Sequence, residues 1–106
     1  MTTFDDRERG EETRFKHEQE RAFKARNRGN KLFGLWIAEQ LGLSGEAAQS
    51  YAKDVVISDF DAPGDDDIFA KVKADLEAKS MEVSDHLLLK RLQEYRQLAA
   101  EQIRTE

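Results

Sequence analysis

The sequence predicts an all-α protein, a four-helix bundle carrying a mobile or marginally helical N-terminal arm. Three observations lead there. Apolar residues recur at helical spacing in four segments after Lys31, each preceded by a capping residue or a turn signal. No segment sustains the alternation of a strand. Before that point the texture differs: sixteen of the first thirty-one residues are charged, and Phe4, Phe15 and Phe23 are the only large apolar residues after Met1. An arm of that composition cannot bury a core of its own, so its role is expected in what it touches.

The arm is assigned to residues 1–19 and the bundle to residues 20–106, with the first bundle helix beginning within 20–32. Thr2 or Thr3 can cap the arm, and Asp5 and Asp6 suit a helix N-terminus. Acid-before-base pairs at i,i+4 (Asp5 with Arg9, Glu12 with Lys16, Glu20 with Lys24) each add about 0.2–0.5 kcal/mol. Gly10 opposes them by roughly 1 kcal/mol against Ala. Asn27-Arg28-Gly29-Asn30 is a run of poor helix formers and reads as a soft point or hinge.

Leu32 to Leu41 is the strongest helical segment, with Phe33, Trp36, Ile37 and Leu41 on one face and Trp36 expected in the core. Gly42 stands where a left-handed C-cap belongs, with Leu43 packing back. Ser44 caps the next helix, whose stripe is Ala48, Tyr51, Ala52, Val55 and Val56. Asp59 to Asp67 is a loop holding Pro63. Asp65 caps a third helix with the stripe Ile68, Phe69, Val72 and Leu76, and Asp66 and Asp67 favour its N-terminus. Ser84 caps the fourth, where Leu88, Leu92, Tyr95, Ala99 and Ile103 share a face. Leu87, Leu89 and Leu98 widen that face enough for a central helix or for one that presents a side to a partner.

Charge is uneven. Residues 5–20 carry seven acids and four bases, residues 21–31 five bases and no acid, and residues 32–106 fifteen acids and eight bases. The net charge of −5 argues against a general nucleic-acid binder. The basic segment Arg21, Lys24, Arg26, Arg28 and Lys31 reads as a solvated face, or as a patch that steers the arm toward an acidic or phosphate-bearing partner. The absence of cysteine excludes disulfides, thiolate metal sites and a Cys nucleophile. No run approaches ~18 apolar residues, so none spans a membrane. The N-terminus lacks a signal-peptide pattern. A cytoplasmic location is expected.

No catalytic or metal site is expected. Asp59-x-Asp61-x-x-Gly64-x-x-Asp67 faintly resembles a calcium loop, but Pro63 and Ala70 stand where oxygen ligands are needed. His17 and His86 have no ligand-spaced neighbour. Ser44 and Ser84 read as caps rather than nucleophiles. The aromatic residues of the arm carry more. Phe4 and Phe15, eleven residues apart, share a helical face, and Phe23 lies about 80° further round. They either fold back on the bundle or anchor a polar helix in a groove of another protein.

The opening residues Met1 to Glu8, with Phe23-Lys24-Ala25, Asn30-Lys31-Leu32, Gly34-Leu35-Trp36 and Leu41 to Gly45, resemble the zeta subunit of alphaproteobacterial F-type ATP synthases. Tyr51-Ala52-Lys53, Val55-Val56, Asp59-Phe60 and Pro63-Gly64-Asp65 continue the likeness, which is loosest in the last helix. The resemblance implies a four-helix protein that is not an enzyme. Its N-terminal arm would enter the catalytic interface of the alpha, beta and gamma subunits and block ATP hydrolysis while sparing synthesis. The implied contact residues are Phe4, Asp5, Asp6, Arg7, Glu8, Arg9, Arg14, Phe15 and His17, with the basic segment as a further contact. It also implies a monomer when free, held at the cytoplasmic face of the membrane through the synthase without insertion. No cofactor is expected beyond weak adenine-nucleotide binding, for which the sequence locates no site. This chain departs from the family pattern at Gly10, Glu11 and Gly29, where Ala, Phe and Arg are typical. Two other roles compete: a non-inhibitory accessory or assembly subunit of the same complex, and a helical nucleotide or anion sensor.

Overall fold

A computed structural model describes residues 3–60 and 64–106, with side chains from Arg14 onward. It contains four helices: α1 (Thr3–Gln40), α2 (Gly45–Ser58), α3 (Asp66–Ala78) and α4 (Asp85–Arg104). No strand occurs among the described residues. The 38-residue α1 is the spine of the molecule, about 57 Å long at 1.5 Å per residue. It sets the long dimension of a 66 × 26 × 21 Å body. The C-terminal half of α1 packs against α2 and α4, while α3 lies against α2.

The core is one cluster. Phe33 and Ile37 of α1 meet Val55 of α2, Ile68, Val72 and Leu76 of α3, and Leu88 and Leu92 of α4. Each lies on the apolar stripe its own helix predicts. Trp36 is only half-buried; it packs against the cluster, and Arg91 lies 5.4 Å over its ring. Leu87, Leu89 and Leu98 of α4 are exposed, so this helix presents a side to solvent rather than being wedged centrally.

The α1–α2 turn follows its sequence closely. Gly42 has φ +81°, its N–H donates to the Glu39 carbonyl at 3.1 Å, and Leu43 N–H donates to the Ala38 carbonyl at 2.8 Å. This is the Schellman pairing, which satisfies the last carbonyls of α1. Ser84 caps α4 as expected, accepting from Leu87 N–H at 3.1 Å. Ser44 and Asp65 occupy N-cap positions, but neither side chain makes the cap hydrogen bond. Asp65 is drawn away by arginines of two other helices.

The α3–α4 turn repeats the left-handed ending with a less suitable residue. Ser80 has φ +57°, and Met81 N–H donates to the Leu76 carbonyl at 2.9 Å. A left-handed non-glycine residue costs about 1 kcal/mol. Ser80→Gly should therefore raise stability by up to about 1 kcal/mol, or roughly 4–8 °C in Tm, in a thermal melt followed by circular dichroism. An unchanged or lower Tm would show that the serine carries no strain.

The soft point at Asn27–Asn30 does not interrupt α1. The helix runs through it unbroken, and no break separates residues 1–19 from residues 20–40 within its bounds. Tertiary packing overrides propensity here. Gly29 and Asn30 are buried, and a Cβ on Gly29 would fall 2.6 Å from Arg96 Cα. Gly34 does the same toward α2, where a Cβ would meet Ala52 Cα at 2.8 Å. Five residues apart, the two glycines face roughly 140° from each other and let α4 and α2 approach α1 on different sides. The propensity lost at each glycine is offset by the contact it permits.

Candidate interaction surface

From Arg14 to Lys24 every side chain of α1 is exposed, and the bundle first covers the helix at Ala25. Arg14, Phe15 and His17 stand on this projecting stretch. Phe15 is 62% exposed. Phe4, Asp5, Asp6, Arg7, Glu8 and Arg9 belong to the N-terminal turns of α1, and their side chains lie outside the described residues. Whether the arm is mobile falls on the same segment. Phe23 is exposed yet partnered: its ring stacks on Phe60 beyond the end of α2, with centroids 6.0 Å apart and planes at 16°. Ile57 is exposed as well.

The basic segment does not act as one face. Arg26 turns inward. Its Nε donates to Asp59 Oδ2 at 2.6 Å, and its Nη2 donates to Asp59 Oδ1 at 2.8 Å and to Asp65 Oδ1 at 3.1 Å. Asn30, fully buried, donates from Nδ2 to Asp59 Oδ2 at 2.9 Å and accepts from Arg96 Nε at 2.9 Å. Arg96 Nη2 lies 2.9 Å from Asp65 Oδ1. Five side chains thus tie α1 and α4 to the C-cap of α2 and the N-cap of α3 at one point. Burial works against ionisation of Asp59, but the bonds from Arg26 and Asn30 and the charge of Arg96 outweigh it and hold the carboxyl below its ordinary 3.8. Arg26 is correspondingly raised, chiefly by its hydrogen bond to Asp59. Asp59, the first carboxylate of the loop compared with a calcium site, is committed to Arg26 instead.

Sequence reasoning missed this network. One signal was available. Asn30 lies three residues before Phe33 and seven before Ile37, on the apolar stripe, so a buried polar partner was required.

Arg21 is exposed on the projecting stretch, whereas Lys24, Arg28 and Lys31 border an open groove of 870 Å³ between α1, α2 and the end of α4. Phe23, Leu35 and Val56 supply apolar surface, and Lys24, Arg28, Lys31 and Lys53 supply charge. Glu106 stands at one edge, its Oε1 2.6 Å from Arg28 Nη1 and its Oε2 3.2 Å from Lys24 Nζ. These contacts hold its carboxyl below the ordinary 4.5. Among the described residues, no three His, Cys, Asp or Glu residues could hold a metal ion together. No helix is long and apolar enough to cross a membrane.

A helical body with a projecting, aromatic-bearing helix and a basic groove beside it has the form of a protein that binds another protein. The family model of ATPase inhibitor subunit zeta matches residues 1–102, and the chain belongs to that family. No curated protein matches the chain.

Proposed function

We propose that this protein inhibits ATP hydrolysis by the F-type ATP synthase, inserting its N-terminal arm where the alpha, beta and gamma subunits meet and sparing synthesis. The observation that carries this reading is that the family match runs from residue 1 through the arm, not over the bundle alone. The geometry supports it. Because α1 is continuous, the bundle and the arm share one helix, and the bundle keeps the arm at high local concentration. Phe15 is exposed, and Phe4 falls on its face by helical period. Buried aromatic anchors in a partner groove supply most of the binding energy in such contacts. Arg14 and His17 accompany Phe15 on the projecting stretch, and Asp5 to Arg9 precede it.

The protein acts by occupying an interface and performs no reaction of its own. It is a monomer when free and is held at the cytoplasmic face of the membrane through the synthase. Weak adenine-nucleotide binding is carried over from the family without an assigned site, and an NMR titration with ADP tests it.

The deciding experiment measures ATP hydrolysis and synthesis by the purified synthase with and without the intact protein. Loss of hydrolysis with synthesis preserved is expected. Full hydrolysis with the protein bound would leave the accessory-subunit reading in its place, with Gly10 and Glu11 as its cause.

A related expectation concerns the cost of ordering the arm. Gly10→Ala should raise the helicity of a peptide of residues 1–26 and tighten inhibition up to about fivefold, the equivalent of roughly 1 kcal/mol. Higher helicity with unchanged inhibition would show that helix formation does not limit binding.

A further inference from the structure

The groove beside α1 departs from the charge balance of the chain. The protein carries 22 acids and 17 bases, yet no carboxylate lines this recess. Lys24, Arg28 and Lys31 come from two turns of α1, and Lys53 faces them from α2. Lys24 and Lys31, seven residues apart, place charge at an interval of about 10 Å. Apolar surface lies beside these cations and continues outward over Phe60, which stacks on Phe23 and is about half exposed.

The molecule itself supplies an example of what the cations take. Glu106, just past the end of α4, lays one carboxylate across Arg28 and Lys24. Its carboxylate is about half exposed and is held by solvent-facing ion pairs. Such pairs contribute little, so another carboxylate can replace it. The position of the groove also bears on the occupant. Phe15 and Phe23 are eight residues apart on one continuous helix, or about 12 Å. A partner that holds the projecting stretch is therefore brought alongside the groove.

We propose that this groove is a second docking surface, which takes an acidic amphipathic helix from the partner's catalytic sector, and that Glu106 is its built-in competitor. The proposal rests on the reading that the partner is the F-type ATP synthase. The occupant would set carboxylates one or two turns apart against Lys24, Arg28, Lys31 and Lys53, and seat apolar residues on Leu35, Val56 and Phe23. That is recognition of a helix in a groove, with charge deciding register and apolar contact supplying affinity.

The test uses full-length protein and the purified catalytic sector, with dissociation constants measured at low and moderate salt. Lys31→Glu with Lys53→Glu should weaken binding about tenfold and flatten its salt dependence. Both lysines are free of intramolecular ion pairs among the described contacts, so circular dichroism should show an unchanged fold. Glu106→Gln should tighten binding about two- to fivefold. Lys90→Glu, at the far end of α4, should leave it unchanged. Binding unaffected by the double reversal would overturn the proposal, as would an equal loss from Lys90→Glu, which would assign the effect to net charge. An ADP arm separates the small-molecule reading. If the double reversal abolishes ADP binding but leaves affinity for the catalytic sector intact, the groove is a nucleotide site and docking is refuted. Inhibition by the intact chain distinguishes the two readings. Groove-dependent binding without inhibition would refute the inhibitor and keep the docking surface. Inhibition with groove-independent affinity would do the reverse.

Discussion

Deleting residues 1–19 should abolish inhibition of ATP hydrolysis and leave a folded bundle. Among the described residues, burial begins at Gly29 and every side chain before Ala25 is exposed, so the deletion removes no described core contact. Helical circular dichroism and a cooperative melt should survive, and inhibition should not. Within the intact arm, Phe4→Ala and Phe15→Ala should each weaken inhibition by tenfold or more, against threefold or less for Glu12→Ala. A ring seated in a partner groove is fully desolvated, with truncation costing about 2 kcal/mol or more, whereas an exposed ion pair contributes up to about 0.5 kcal/mol. Inhibition by the truncated protein equal to that of the intact chain would remove the arm from the mechanism. The inhibitor would then act through the bundle.

The second large effect is expected at Asp59. Asp59→Ala should lower stability by about 3 kcal/mol in urea denaturation at neutral pH. The substitution leaves Asn30 buried without its acceptor and Arg96 without part of its compensating charge. The figure is set at the lower end of that range because Arg26 is 40% exposed and water can screen it. An unchanged midpoint would show that the network directs packing without adding stability. The pH dependence has a defined sign. The folded pKa of Asp59 lies below 3.8, its ordinary value. The stabilisation is therefore complete above that value and is lost as pH falls through the folded pKa. Asp59→Asn should be less stable than the parent at pH 7, and the difference should shrink toward pH 2. A difference constant over that range would mean the charge of Asp59 is not what the fold uses.

Gly29 illustrates how a departure from a family pattern acquires a reason. The arginine expected there from the resemblance would require Arg96 and the backbone of α4 to move, since even a Cβ falls within 3 Å of both. The close approach it permits puts Arg96 within reach of Asn30 and Asp65. In this chain the glycine serves the network more than it weakens the helix.

What the sequence determined by itself were the features governed by neighbours in the chain. Four helices, the stripe each buries, the Gly42 ending and the Ser84 cap follow from periodicity and capping, which act over three or four residues. The exposed stretch from Arg14 to Lys24 was legible for the same reason, since a run of charges with few apolar residues has little to bury. Tertiary structure alone decided what each buried face meets. Arg26 and Asp59 are 33 residues apart, Arg96 and Asn30 are 66 apart, and Lys24 and Glu106 are 82 apart. Five bases in one segment looked equivalent because local charge does not record which helix will lie opposite. Packing turned Arg26 into a structural residue, left Lys31 exposed, and set Lys24 and Arg28 against Glu106 at the edge of a groove. The same packing carried α1 straight through Asn27–Asn30, because the close contacts of Gly29 and the hydrogen bonds of Asn30 outweigh the poor propensity of the run. Propensity is worth up to about 1 kcal/mol per residue, and a satisfied buried network contributes more.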